Sequence, residues 1–256
     1  MNHFKKRLIQ YKDDGLLYPK DEDVFDSTFR SSLDRYSFIA EQISLRLGEG
    51  QSILDAGCGI GLFLRSMRLL GHNCTALDFI SVYQEKYQEY FEGIPFHECN
   101  LEISTLPFDD ESFDVVVCSQ VLEHFTYSHL PPVIEMRRIL KKGGLLFIDV
   151  PNVACFRNRM RILRGKNITW DYERHYLDTA PTRSGEDCFF PDRHNREFTL
   201  GELELLYQRA GFKDLDGYFI KSRRYRKGLE RFLSLGTAIK DVFPSLRKTV
   251  LAIGRK

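Results

Sequence analysis

From Ser52 to Asn152 short apolar runs alternate with stretches of helical period, and this alternation restricts what the chain can fold into more than any other feature of it. "SILDAG" is followed by a helical stretch from about Leu62 to Leu70 that Gly71 ends, then by "CTALD" and a helix opened by Ser81 with Gln84 completing a capping box. "FDVVVCS" comes next, then a helix after Pro131 and Pro132 reaching Leu140, then "GLLFIDVPN". Strands spaced by helices in this way demand a parallel sheet wrapped by those helices. "DVVVC" and "LLFIDV" are unbroken and β-branched, as strands covered on both faces must be.

The flanks read differently. Asp26 or Ser27 caps a lead-in helix with apolar positions Phe29, Leu33, Tyr36, Ala40, Ile43 and Leu47, and Gly48 and Gly50 stop it. Residues 153–197 are polar, aromatic and basic with weak periodicity, too long for a plain connection, and are read as a partly helical lid insertion. Thr199 and Glu202 then form a second capping box ahead of Leu203, Leu206, Tyr207 and Ala210, with Gly211 at the C-cap. "FKDLDGYFIKS" and "TVLAIGRK" read as closing strands, and "RKGLERFLSLGTAIKDVF" between them as an amphipathic helix. The expectation is one domain over 1–256: a helical lead (1–50), a ligand-binding core (51–152), the insertion (153–197) and a closing segment (198–256).

Composition excludes several classes. At 256 residues and 43% hydrophobic the chain can bury a full core, so disorder is excluded. Lys plus Arg at 37 against Asp plus Glu at 36 leaves +1, which gives no global pull toward nucleic acid or an anionic membrane. The basic run "KSRRYRKGLERF" is read first as packing at the sheet edge, second as peripheral membrane contact through the C-terminal helix, and least as nucleic-acid binding. With no signal-type h-region and no membrane-length apolar run, the expected location is the cytoplasm. The 6 cysteines include no C-x-x-C pair, which argues against structural zinc and disulfides.

"LDAGCGIGLF", residues 54–63, ends the first strand at Asp55 and sets Gly57, Gly59 and Gly61 at the sheet's carboxyl edge, where open α/β folds bind ligands. The spacing is not G-x-G-x-x-G, no P-loop lysine follows, and Asp55 would repel a phosphate. Asp78, ending the next strand, is placed to accept from two ribose hydroxyls. These residues suit a nucleoside with a cationic, zwitterionic tail; a tight turn without a ligand and a nicotinamide-dependent oxidoreductase stay open as alternatives.

"ILDAGCGIG", "ALD", "LEISTLPFDDESFDVVVCSQVLEH" and "RILKKGGLLFIDVPN", in this order and spacing, resemble the successive motifs of the class I S-adenosylmethionine-dependent methyltransferases. "HNREFTLGELELLYQRAGF" resembles the segment that follows in many small-molecule members. The resemblance implies a Rossmann-like α/β fold, a mostly parallel seven-stranded sheet with helices on both faces and an antiparallel closing strand, with the lid insertion added. It implies that Asp55, Gly57, Cys58 and Gly59 line the methionine moiety of the donor, Asp78 and Phe79 the ribose, Asn100 and Leu101 the adenine edge, and Gln120 and Val121 the sulfonium end. Asn100 departs from the family's usual Asp, and its side-chain oxygen still accepts a hydrogen bond. His124, in "VLEHF", is the candidate general base, against a purely structural role for that turn. Tyr172, His175 and His194 are candidate contacts to a polar acceptor, with a solvated lid surface as the alternative. A metal site from His175, His194 and Asp192 has no ligand spacing and is not expected. The reading is methyl transfer, to oxygen before nitrogen or carbon, on a small metabolite or saccharide, including one linked to lipid; a non-catalytic binding module is the rival.

Overall fold

The computed structural model describes residues 2–18, 23–79, 85–169, 171–184, 187–190, 193–221 and 242–256. β1 (Ser52–Ala56), β2 (Asn73–Asp78), β3 (Phe96–Glu98), β4 (Phe113–Ser119) and β5 (Leu140–Pro151) pair in parallel. β8 (Lys213–Ile220) and β9 (Thr249–Arg255) complete the seven-stranded sheet in the order β3-β2-β1-β4-β5-β9-β8. β9 lies antiparallel to both β5 and β8, so the strand latest in the chain sits between two earlier ones.

Alternation along each strand divides the core between the two sheet faces. Ile53, Val115, Val117, Leu145, Phe147, Leu251 and Ile253 pack with helices α1 (His3–Asp13), α2 (Asp23–Leu47) and α3 (Leu62–Leu69). Leu54, Val116, Cys118, Leu146, Ile148, Val150 and Ala252 pack with α4 (Leu130–Ile139) and α6 (Leu200–Arg209) on the other side. Burying each large apolar side chain contributes roughly 1.5–3 kcal/mol, which is why the unbroken apolar runs become central strands. The Tyr207 hydroxyl, fully buried on α6, donates toward the carbonyls of Ala252 at 3.0 Å and Leu146 at 3.2 Å and so fastens that helix across β9 and β5.

α2 begins at Asp23, earlier than its capping residues suggest, and buries Phe29, Leu33, Tyr36, Ala40 and Ile43 as expected. α6 carries the expected capping box: Thr199 accepts from the Glu202 N–H, and the Glu202 carboxylate accepts from the Thr199 N–H. α1 has no counterpart in the sequence reading. It has one buried residue, Leu8, and is held by tertiary contacts such as the Tyr11 hydroxyl donating to the Leu69 carbonyl at 3.0 Å. The opening of the helix read from Ser81 lies outside the described residues; Glu85 and Lys86 are helical, and a 3-10 turn, Gln88–Phe91, follows. The amphipathic helix read over 226–243 lies almost wholly outside them as well.

The 153–197 segment leaves and returns at one point. Asn152 and Phe198 form a parallel bridge, and Asn152 donates from Nδ2 to the carbonyls of Ser245 and Arg247 at 2.9 and 2.8 Å. Within the segment stand α5 (Phe156–Ile162), a π-helical turn over Glu173–Asp178 and a hairpin of β6 (Thr182–Ser184) and β7 (Asp187–Phe189). Neither the π turn nor the hairpin was legible in its irregular sequence.

Candidate active site

The carboxyl ends of β1, β2, β4 and β5 bring the expected residues to one edge of the sheet. The loop after β1 folds back onto β2: the N–H groups of Gly57 and Cys58 donate to the Leu77 carbonyl at 2.8 and 3.1 Å, and that of Gly59 to Asp78 Oδ2 at 2.8 Å. The other oxygen of Asp78 accepts from the Phe79 N–H at 2.8 Å. Asp78 is thus oriented by two backbone donors.

All three glycines have positive φ, but the room they leave is used differently. A Cβ on Gly57 would press into Val121, and one on Gly61 into the ring of Phe91. At Gly59 nothing among the described residues stands within 4 Å of where a Cβ would be. Two of the glycines therefore admit the protein's own side chains, and the open cradle is at Gly59.

Beneath this loop lies a buried charge cluster on the face covered by α2. Asp55 is 2% exposed and Asp149, in β5, 1% exposed. Burial raises the pKa of Asp55 well above the carboxylate range, and the charges of Asp78 and Asp149 push it further, against Arg35. Arg35 reaches in from α2, with Nε 3.3 Å from Asp149 Oδ2, and Asp149 is likewise raised by burial while Arg35 and hydrogen bonds pull it down. Gln120 is held in the left-handed region, φ 58°, and spends its side chain on the scaffold: Nε2 donates to Asp149 Oδ2 at 2.9 Å and its N–H to the Asp149 carbonyl at 2.8 Å. Such a conformation in a non-glycine residue costs of order 1 kcal/mol and persists because Asp149 holds it at both ends.

Asn100 departs from expectation in its bonding. Its Oδ1 already accepts from the Glu102 N–H at 3.0 Å, and the unpaired buried atom is Nδ2, a donor. Leu101 is buried beside it, and Cys58 is buried with its thiol pushed up by burial.

Past β4, Leu122–His124 form a 3-10 turn. His124 Nδ1 stands 2.8 Å from the Arg193 carbonyl oxygen; a carbonyl only accepts, so Nδ1 carries a hydrogen. The insertion is stapled to this turn: the Asn195 N–H donates to the Glu123 carbonyl at 2.7 Å and Asn195 Nδ2 to the His124 carbonyl at 2.8 Å. The His194 ring therefore meets the His124 ring edge-on, centroids 4.9 Å apart.

Tyr176 donates from its hydroxyl to the His194 carbonyl at 2.7 Å, and Tyr172 stacks on Tyr176 at 5.6 Å while remaining 62% exposed. His175 sits half-buried on the same π turn, its carbonyl accepting from Arg193 Nε at 2.6 Å. The structure thus brings His194 onto His124 directly and links Tyr172 and His175 to them through the backbone. Asp192 lies outside the described residues.

Glu123 and Arg35 escaped sequence reasoning. Glu123 is 1% exposed, neither carboxylate oxygen has a hydrogen-bond partner among the described residues, and burial pushes its pKa up to about 8, with Asp149 and Glu197 adding to the effect and Arg35 opposing it. The available signals were an acid inside the run "VLEHF" and an Arg on the same helical stripe as the buried Ser32 and Ile39.

A family profile described as a methyltransferase domain matches residues 29–216. A probable S-adenosylmethionine-dependent methyltransferase of Mycobacterium tuberculosis is 27% identical over 195 residues, 76% of this chain and 59% of that protein. A ubiquinone biosynthesis O-methyltransferase of Glaesserella parasuis is 32% identical over 110 residues, 40% of this chain and 46% of that protein. The chain thus spans about half the length of these curated relatives. Among solved structures, the Burkholderia thailandensis 1,6-didemethyltoxoflavin-N1-methyltransferase with bound S-adenosylhomocysteine superposes with a TM-score of 0.52 at 16% identity, covering 98% of this chain and 86% of that one.

Proposed function

The chain belongs to the methyltransferase domain family and is an S-adenosylmethionine-dependent methyltransferase, and from that premise we propose that it methylates an oxygen of a small metabolite or saccharide held between the Leu122–His124 turn and the 153–197 segment. The loop residues suit the donor: Gly59 leaves open space against the main chain, and Asn100 keeps a buried donor unpaired. When bound, S-adenosylmethionine supplies a methyl group made electrophilic by its sulfonium.

Asp78 is oriented to accept from ribose hydroxyls, Asn100 Nδ2 to donate to an acceptor atom of the adenine edge, and buried Leu101 to exclude water there. Asp55 and Asp149 lie buried beneath the loop, and a cationic ligand bound there would favour their ionised forms. Gln120, tied to Asp149, shapes the floor with Val121 and does not reach the acceptor as a free amide.

The observation that carries the choice of oxygen is the tautomer of His124. With Nδ1 bound to the Arg193 carbonyl, the other ring nitrogen is a base suited to take the proton of an acceptor hydroxyl. His194, Tyr172 and His175 are proposed to position that acceptor, since the insertion is fastened to the same turn. Among the described residues no helix is long and apolar enough to cross a membrane. Peripheral contact through 226–243, suited to a lipid-linked acceptor, belongs to the same proposal.

The test is incubation of purified protein with methyl-labelled donor and a panel of saccharides, small hydroxylated metabolites and amines, followed by mass spectrometry of the products. Label on oxygen of a hydroxylated acceptor is expected. Label found only on nitrogen or carbon would refute the reading.

A further inference from the structure

We propose that Glu123, His124 and His194 form a binding site for a divalent first-row metal cation at the rim of the methyl-transfer site. One ligand atom from each of the three lies within 4.8 Å of the others. Ligands bound at about 2.1 Å around a tetrahedral ion stand roughly 3.4 Å apart, so the cluster closes on a cation with about an ångström of movement. The exposed partner supplies that freedom: the His194 side chain is 40% exposed.

A second, independent observation points to a ligand. Glu123 is buried, yet among the described residues neither carboxylate oxygen has a hydrogen-bond partner. A buried polar group in that condition costs free energy, more so when charged, and native structures seldom leave one uncompensated. Arg35 does not remove the need, because its Nε lies 3.3 Å from Asp149. The other charges near the turn are Glu197, paired with Arg157 at 3.5 Å and 3.9 Å from His194 Nδ1, and Asp149 itself.

The surroundings are those of a prepared metal ligand set. His124 donates its Nδ1 hydrogen to the Arg193 carbonyl at 2.8 Å, the kind of outer hydrogen bond that orients metal-binding imidazoles. Asn195 joins the His194 strand to the turn through the carbonyls of Glu123 and His124, so residues about seventy apart in sequence are held in register before any ion arrives. Two imidazoles and one carboxylate suit Zn2+, Fe2+ or Mn2+ better than Ca2+ or Mg2+, and three protein ligands leave positions for water or an acceptor oxygen. The inference deepens the proposed reaction and, in its catalytic consequence, rests on that reading: a cation here would bind the acceptor oxygen and lower the pKa of its hydroxyl, whose proton would pass to solvent water and not to His124.

Binding is read directly, without turnover. Chelator-treated full-length protein is titrated with Mn2+, followed by the loss of the free-ion paramagnetic resonance signal, and with Co2+, followed by visible absorption. The same preparations are titrated calorimetrically with S-adenosylhomocysteine. One cation per chain is expected, with affinity reduced at least tenfold in both Glu123→Gln and His194→Gln while S-adenosylhomocysteine binds all three proteins alike. Absence of stoichiometric cation binding by wild-type protein that binds S-adenosylhomocysteine overturns the site and leaves His124 as the base. Unchanged cation affinity in His194→Gln overturns it too, and this exposed variant decides alone if Glu123→Gln does not fold. Cation binding without S-adenosylhomocysteine binding supports the site and refutes the donor pocket instead.

Discussion

Gly57→Ala and Gly59→Ala separate the two uses to which the loop puts its glycines. Gly57 has φ +90°, and an added methyl would lie inside contact distance of Val121 Cγ2, with Cγ1 at 3.2 Å and Cβ at 3.4 Å. A left-handed backbone costs a residue with a Cβ about 1–2 kcal/mol, and forcing a methyl against a β-branched neighbour adds about 1–3 kcal/mol. Gly57→Ala should therefore lose roughly 2–5 kcal/mol, and at about 2–4 °C per kcal/mol for a chain of this size its Tm should fall by on the order of 10 °C. Gly59 has φ +51° with nothing in the way, so Gly59→Ala should cost only about 1–2 kcal/mol, while its methyl occupies the cradle and weakens S-adenosylhomocysteine binding. Thermal melts and calorimetry on both variants, with Val121→Ala and the Gly57→Ala/Val121→Ala double variant, complete the comparison. The double variant should recover at least about 1 kcal/mol relative to additivity, because the clash has been removed. A Gly57→Ala protein with wild-type Tm, or a Gly59→Ala protein less stable than Gly57→Ala, would refute the reasoning.

Arg35→Met leaves Asp149 buried without its positive neighbour and should cost about 3–5 kcal/mol in urea denaturation, against less than about 1 kcal/mol if the pair is dispensable. Burial alone would raise the pKa of Asp114, but hydrogen bonds from Ser52 and Lys141 outweigh it and hold the folded-state value below the unfolded one. Its contribution to stability is thus complete above the unfolded pKa of about 3.9 and disappears as pH falls through the lower folded value, so Asp114→Asn should flatten the stability curve below about pH 4; an acid limb of unchanged slope would contradict this. His124→Gln should lower kcat about 10²- to 10⁴-fold with S-adenosylhomocysteine affinity retained, and a kcat within about threefold of wild type would remove His124 from the chemistry.

The sheet was legible because its strands are covered on both faces: Val115–Cys118 and Leu145–Ile148 admit no polar side, and nothing but a central parallel strand satisfies that. The ends of the sheet and the insertion were less so. α1 has one buried side chain, and its helix is stabilised by α2 and Leu69, contacts invisible to local periodicity. At the site, Asp55, Asp78 and the glycine loop announced themselves by position at strand ends, whereas Arg35 belongs to the lead-in helix and reaches Asp149 more than a hundred residues away. The acid within "LLFIDV" was visible as part of a strand, and its charge was the unused hint. Gly57 and Gly61 show a use of bare backbone that sequence reasoning missed: it admits the side chains of Val121 and Phe91.

The placement of β9 between β5 and β8 sets an order on biosynthesis. While residues before 249 are being made, β5 has an unsatisfied edge along Leu145–Pro151, with Phe147, Ile148 and Val150 beside it, and β8 has no strand to join. A ribosome paused in that interval would present a sticky, template-like border to neighbouring nascent chains. Expression yield should thus depend on how swiftly the codons for Thr249–Arg255 are read, far from the glycine loop and the Leu122–His124 turn.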